Sequence, residues 1–292
     1  MGKEYINKIK FNIKKCFTKK FFKGDTELIV KNILFKNYFD TIKIQTTYDT
    51  LDEIEECIER QRGGAYFRFG DGDVFLMELK NDSFQNANRK LSIEISEAFG
   101  LAGKNIFKTL PIHSNLFGYD NGMFNGNHKN EDHFAKQLLY ATFPYFIGHK
   151  IYSPVALHFI ATNKVHRANS FLKVLKANTK VFVGNKNFTS KSIELLFGDS
   201  IHIKTPSTNA YSEIDRIHNE STEAIDKISH CVVCIAMGCS GRALMKRLHH
   251  YTRSKNVFLF DFGSLLDGVN GNDSRTWLKV NEINYDELTG NL

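Results

Sequence analysis

The chain predicts an α/β fold: a Rossmann-like, mostly parallel sheet covered by helices on both faces, preceded by an N-terminal basic amphipathic helix. Three observations lead there. Between residues 180 and 263, short apolar runs alternate with segments of helical period, the pattern of βαβ units in a parallel sheet. Each run ends in a loop marked by Gly, Pro or a carboxylate: Gly184-Asn185, Thr205-Pro206, Gly238-Cys-Ser-Gly241 and Asp261-Phe-Gly263. An earlier apolar run, 65–69, ends in the same way, at Gly70-Asp71-Gly72-Asp73. With 292 residues, 42% of them hydrophobic and 13% aromatic, the chain can bury a large core. Four prolines and no repeat or low-complexity run argue against extensive disorder.

The first element is the arm. Residues 1–23 hold eight lysines against Glu4 alone, which accounts for the whole formal charge of +7 and leaves residues 24–292 formally neutral. A basic groove for nucleic acid in the body is therefore not expected. Ile6, Ile9, Ile13, Cys16 or Phe17, and Phe21 recur at helical spacing with lysines filling much of the rest. Such a helix can lie on an anionic membrane surface or pack on the domain with its lysines in water; the near absence of acidic residues among the lysines favours the membrane. We expect residues 1–45 to form this arm and a linker, and 46–292 to form one domain. No apolar run approaches the ~20 residues of a membrane span, and lysines interrupt any secretory h-region. The expected place is cytoplasmic, at the membrane's inner face.

Within the body, Thr50-Leu-Asp-Glu53 reads as a capping box opening an acidic amphipathic helix that stops at Gly63-Gly64. A strand over 65–69 follows. Residues 89–99 and 131–143 read as helices, separated by a Gly- and Asn-rich loop over 118–130 whose length suits a substrate-facing flap. Further on come strand 180–183, helix 189–197, strand 200–204, a helix to about 228, strand 231–236, a helix through 248 and strand 257–260. Ligands bind beyond the carboxyl ends of such strands. The loops at 184, 205–211, 238–241 and 261–263 should gather on one edge, near the acidic turn.

Cysteine and histidine usage argues against a structural metal. The only C-x-x-C, Cys231 and Cys234, lies within an apolar strand, where residues three apart face opposite ways. No second C-x-x-C or H-E-x-x-H completes a zinc set. The thiols read as core residues of a reducing compartment.

Chemistry concentrates at the acidic turn. Asp71 and Asp73 supply hard oxygen ligands of the kind that hold Mg²⁺ or Mn²⁺ together with substrate phosphates. Arg68 adds a cation able to grip a phosphate in two places, or to pair with Asp71. Asp-Gly is also an ordinary turn dipeptide. Gly238-Cys-Ser-Gly241 opens a helix whose N–H groups can face a phosphate, but it is neither a Walker A nor a complete G-x-G-x-x-G.

Arg68-Phe-Gly-Asp-Gly-Asp73 resembles the R-F-G-D-G-E signature of the GT-D-type bacterial glycosyltransferases. The resemblance continues through Pro206, Asn209-Ala-Tyr211, the small-residue loop at Gly238 and Asp261-Phe-Gly263, and covers about residues 48–277. It departs from the family where Asp73 replaces its Glu, a shorter side chain of equal charge. The resemblance implies transfer of a sugar from a nucleotide-diphosphate donor, a UDP-sugar, to a glycan or lipid-linked glycan in cell-surface polysaccharide synthesis. It implies Mn²⁺ or Mg²⁺ held by Asp73 and Asp71, with Arg68 supporting the diphosphate. Donor contacts would come from Phe69, Gly70, Gly184, Asn185, Pro206, Asn209, Tyr211, Gly238 and Asp261. On the residues alone, Asn209 also suits helix capping and Tyr211 core packing. His113, Glu213, Asp215 and Asp261 are the candidates for a catalytic base. The acidic turn and phosphate edge would also serve a phosphohydrolase or nucleotidyltransferase, and the arm would serve a non-catalytic membrane scaffold.

Overall fold

The computed structural model describes residues 42–110, 142–272 and 283–290. The basic arm, His113, the 118–130 loop and residues 131–141 of the expected helix 131–143 lie outside them. In chain order the elements begin with strand β1 (Lys43–Ile44), helix α1 (Thr47–Glu59), β2 (Gly64–Phe67), α2 (Asp71–Met77), α3 (Arg89–Gly100) and β3 (Ile106–Lys108). After a 3₁₀ turn at Phe143–Tyr145 come β4 (Lys150–Ile151), α4 (Ala156–Asn163), α5 (Val165–Asn178), β5 (Thr179–Asn185), α6 (Ser190–Phe197) and β6 (Ile201–Thr205). A 3₁₀ turn at Ala210–Glu213 leads into α7 (Ile214–Asp226). The chain continues through β7 (Cys231–Ala236), α8 (Ser240–Leu248), α9 (Tyr251–Ser254), β8 (Val257–Asp261), α10 (Leu265–Val269) and α11 (Tyr285–Thr289).

Six strands form one parallel sheet in the order β3-β2-β8-β7-β5-β6, as the alternation predicts. Every residue of β2 and β8, and all but the last of β7, is buried. Since successive side chains point to opposite faces, both faces of the central strands are covered. The edge strand β6 is only partly covered, with Ile203 and Thr205 buried and Ile201 and Lys204 in water. From β5 the chain passes outward to β6 and then returns to β7 on the other side of β5. That reversal opens a crevice at the carboxyl ends of the strands.

Two local expectations change. The first helix starts four residues earlier than the Thr50–Glu53 box: Thr46 is its N-cap, accepting from the Asp49 N–H at 3.1 Å. Thr50 lies inside the helix and accepts from the Ser153 N–H, while Glu53 accepts from Lys150 and Tyr152. Thr46-x-x-Asp49 carries the same capping chemistry one turn sooner, and tertiary partners claim Thr50 and Glu53. Residues 144–178, to which the sequence analysis assigns no element, fold as β4, α4 and α5. The first six residues of α4 are all buried, because the helix packs between α1 and α5, and a helix apolar all round shows no amphipathic period. Strand β1 pairs with β4, so Lys43–Ile44, placed in the linker by the sequence, is attached to the folded body.

Candidate functional site

Strand β2 delivers Arg68, Phe69 and Gly70 to the carboxyl edge of the sheet, and α2 begins at once. Gly70 is the N-cap; its N–H donates to Asp73 Oδ2 at 2.8 Å, the side-chain half of a capping box. Asp71 and Asp73 therefore occupy the first and third helical positions. At about 100° per residue they lie roughly 200° apart around the helix. Asp71 faces out and is exposed, whereas Asp73 faces in and is 1% exposed.

The inward carboxylate meets Arg242, from the first turn of α8. Arg242 Nε stands 3.4 Å from Asp73 Oδ1 and Nη1 stands 2.5 Å from Asp261 Oδ2. Nη1 also donates to Gly238 O at 2.8 Å, and Nη2 donates to Arg68 O. One guanidinium thus ties the ends of β2, β7 and β8 together, itself only 8% exposed between carboxylates 1% and 4% exposed. Burial pushes the Asp73 carboxyl up to about 6, against the pull of Arg242 and the Gly70 N–H. Burial and the neighbouring Asp73 also raise the Cys239 thiol well above its ordinary range, so it is a neutral wall residue rather than a nucleophile.

Arg68 is held differently. Its Nε donates to Pro154 O, and among the described residues the side chain forms no ion pair. The guanidinium lies across Gly263, where a Cβ would fall 1.3 Å from Arg68 Nη1 and where φ is +68°. Only glycine allows that approach. Gly72 is closely packed, since a Cβ there would come within 2.9 Å of both Asp82 Oδ1 and Cys239 Sγ and would push those side chains aside.

These groups border a cavity of 840 Å³ at the carboxyl edge, within the size range of small-ligand sites. Of the residues singled out in the sequence, Arg68, Phe69, Gly70, Asp71, Asn185, Pro206, Asn209, Gly238 and Asp261 line it. The loops expected to converge on one edge do so. Asp73, Gly184 and Tyr211 are not on the cavity wall. Phe69 is a packing anchor as well, its ring stacked on Phe99 at 3.7 Å. Tyr211 donates its hydroxyl to Glu94 at 2.9 Å, and burial together with Glu94 pushes its pKa up to about 12.

Asn209, in the left-handed region, accepts from the Asn86 N–H at 2.7 Å and donates its own N–H to Phe84 O at 2.8 Å. Gln85 completes that brace. Its Oε1 accepts from Ser240 Oγ at 2.7 Å and from Tyr211 N at 3.2 Å, fastening three loops that wall the cavity. Of the candidate bases, Asp261 lines the cavity, while Glu213 pairs with Arg216 and Asp215 with Arg247 away from it. Arg242 and Gln85 were not anticipated. Arg242 had one local signal, its place in the first turn of the helix opened by the Gly238 loop; Gln85 had none.

Among the described residues, no group of three or more His, Cys, Asp or Glu side chains is placed to hold a metal ion. The cavity wall carries Asp71, Asp261 and Asp267. One or two carboxylates suffice for Mg²⁺ or Mn²⁺ when phosphate oxygens and water complete the shell, so this wall fits an ion that arrives with a phosphate ligand. Asp73 fits less well, with one oxygen taken by the Gly70 N–H and the other facing the Arg242 guanidinium, and Asp261 is already paired with that guanidinium, so the exposed Asp71 is the better ligand.

No protein-family model matches the chain, and no curated protein matches it. Solved structures do. A selenomethionine-substituted structure of domain of unknown function 1792 is similar over 80% of this chain and 82% of its own, with a TM-score of 0.53 and 18% identity. A structure of the same domain, described as having a distinct glycosyltransferase fold, matches over 76% and 78%, with a TM-score of 0.51 and 18% identity. A third, described as a new glycosyltransferase (DUF1792) from Streptococcus sanguinis, matches over 77% and 82%, with a TM-score of 0.53 and 18% identity. The chain shares their fold.

Proposed function

We propose that this protein is a glycosyltransferase that moves a sugar from a nucleotide-diphosphate donor, a UDP-sugar, to a glycan or lipid-linked glycan acceptor in cell-surface polysaccharide synthesis. The observation that carries the reading is the charge layout at the carboxyl edge. Arg68 presents a guanidinium without a carboxylate partner among the described residues, next to an exposed Asp71 on the same cavity wall. The shared fold supports it.

Departure of a nucleoside diphosphate builds negative charge on the leaving oxygen, and fixed cationic groups stabilise that charge most where water is excluded. Arg68 would bind the diphosphate through its Nη groups, since Pro154 O engages only Nε. Arg242 acts indirectly. By neutralising Asp73 and Asp261 from within, it removes a buried negative field that would repel phosphate. Asp71, exposed on the cavity wall, would hold Mn²⁺ or Mg²⁺ together with the diphosphate oxygens, and the ion would supply further positive charge there. The arm over residues 1–23 would bring the enzyme to an anionic membrane surface at the cytoplasmic face, where a lipid-linked acceptor is found. No nucleic acid is required as a partner.

The test is a screen of nucleotide sugars with Mn²⁺, following hydrolysis and transfer. Asp71→Ala is expected to abolish transfer while leaving the melting temperature within about 1–2 °C, because an exposed side chain away from packing contributes little stability. A fully active Asp71→Ala enzyme overturns the assignment. Asp71 is the informative position, because Asp73→Ala would also strip Arg242 of a buried partner.

A further inference from the structure

The cavity is divided by polarity. Its charged lining residues are Arg68, Asp71, Arg242, Asp261 and Asp267, and all of them follow β2, β7 or β8. The wall that follows β5 and β6 is uncharged: Asn185, Phe188 and the segment 205–210. Strands β2 and β6 are four places apart in the sheet, which at the usual strand spacing is about 19 Å. The cavity thus runs from a charged side, at β2, β8 and β7, to a neutral side, at β5 and β6, with Arg68 and Thr205 at the two extremes.

At the neutral end one group lacks an explanation. Thr205, the last residue of β6, lines the cavity and is 1% exposed, and its Oγ1 has no hydrogen-bond partner among the described residues. Its neighbour in register is Asn185 at the end of β5. Buried hydroxyls are nearly always satisfied, and an unpaired one costs free energy until a partner arrives. The Phe188 ring and Pro206 add apolar surface on the same side. Neutral hydrogen-bonding groups beside apolar faces suit an uncharged, hydroxylated ring, not a phosphate.

We propose that the β5–β6 end of the cavity is the subsite for the uncharged ring of the ligand, with the Thr205 hydroxyl as its hydrogen-bonding contact and the diphosphate lying toward Arg68. This rests on the nucleotide-sugar reading above. Two parts of such a donor have this chemistry, the nucleoside and the transferred sugar, and the experiment separates them.

Binding of pyrophosphate, UDP and UDP-glucose, each with Mn²⁺, is measured calorimetrically for the full chain, Thr205→Val and Thr205→Ser. Valine keeps the shape and removes the hydroxyl; serine keeps the hydroxyl. Without ligand, Thr205→Val should melt no lower than the parent, because it deletes a buried unpaired group. A hydroxyl with a structural role would lower the melting temperature instead, and that result counts against the inference. Thr205→Val should bind pyrophosphate as the parent does and UDP-glucose about five- to tenfold more weakly, the worth of one neutral hydrogen bond, with Thr205→Ser close to the parent. A matching loss for UDP places the nucleoside at this end; a loss for UDP-glucose alone places the sugar there. Unchanged binding of all three ligands to Thr205→Val overturns the subsite and leaves the glycosyltransferase reading standing. A parent that binds pyrophosphate but no nucleotide or nucleotide sugar overturns that reading, and the subsite with it.

Discussion

At the ends of β2 and β8 two carboxylates, Asp73 and Asp261, are withdrawn from water with the Arg242 guanidinium between them. Removing one partner of a buried charge group leaves the others uncompensated, at a cost of about 3–5 kcal/mol. Arg242→Leu is expected to lose stability in that range in urea unfolding, and a loss under about 1 kcal/mol would show that the cluster does not hold the site together. Lys108 is a second buried cation, of a different kind. Its Nζ donates to Phe99 O and Tyr145 O, each at 2.8 Å, and burial lowers its pKa from 10.5 to about 8. Below pH 8 the folded and unfolded chains both carry the proton, and the folded chain bears the full cost of the buried charge. Between pH 8 and 10.5 the folded chain releases the proton first, so the contribution of Lys108 to stability rises with pH through that window. The full difference is on the order of 3 kcal/mol. Comparing unfolding free energies of the parent and Lys108→Met from pH 7 to 10.5 measures it; parallel curves would refute the assignment.

At the scale of elements, α3, α7 and α8 are joined by one charged network. Arg247 of α8 reaches Glu94 of α3 at 2.6 Å and Asp215 of α7 at 2.5 Å, and Tyr211 adds its hydroxyl to Glu94. Arg247 and Asp215 hold each other charged, lowering the Asp215 carboxyl below its usual range. Glu94 is mostly shielded from water, whereas the Arg216–Glu220 pair within α7 is largely exposed on both sides. A double-mutant cycle on Glu94 and Arg247 is therefore expected to give a coupling above about 1 kcal/mol, and one on Arg216 and Glu220 less than about 0.5 kcal/mol. Equal couplings would mean that shielding does not set the strength of these pairs. The network also explains why Tyr211, read as a donor contact from its motif, stands off the cavity: it fastens the turn that carries Asn209.

For the whole molecule, the parallel sheet gathers strand ends that are distant in the chain at one edge. Gln85 and Ser240 are hydrogen-bonded across 155 residues of sequence. A ligand that bridges these loops stabilises the folded state by about 2.7 kcal/mol at one hundred times its dissociation constant. UDP with Mn²⁺ at that excess should accordingly raise the melting temperature by several degrees, and the absence of any shift with any nucleotide sugar would count against the proposed function. No helix among the described residues is long and apolar enough to cross a membrane; the membrane contact proposed for the basic arm has a separate test. Deleting residues 1–23 should abolish sedimentation with vesicles containing anionic lipid and preserve transfer to a soluble acceptor. Loss of transfer from a folded truncated chain would place the arm within the catalytic unit.

Local chemistry in the sequence determined the α/β class, the strand-to-loop boundaries and most of the cavity wall, including Arg68, Asp71, Gly238 and Asp261. A parallel sheet sends every strand's carboxyl end to one side, so marking the loops was enough to collect them. Tertiary structure decided what each side chain does there. Asp71 and Asp73 look equivalent as neighbours in a turn, but on the first turn of a helix they face opposite ways, one toward the cavity and one toward Arg242. The buried guanidinium, the Gln85 brace and the Thr205 hydroxyl, unpaired among the described residues, were illegible for a related reason: their meaning lies in what folding does or does not bring within 3 Å or so.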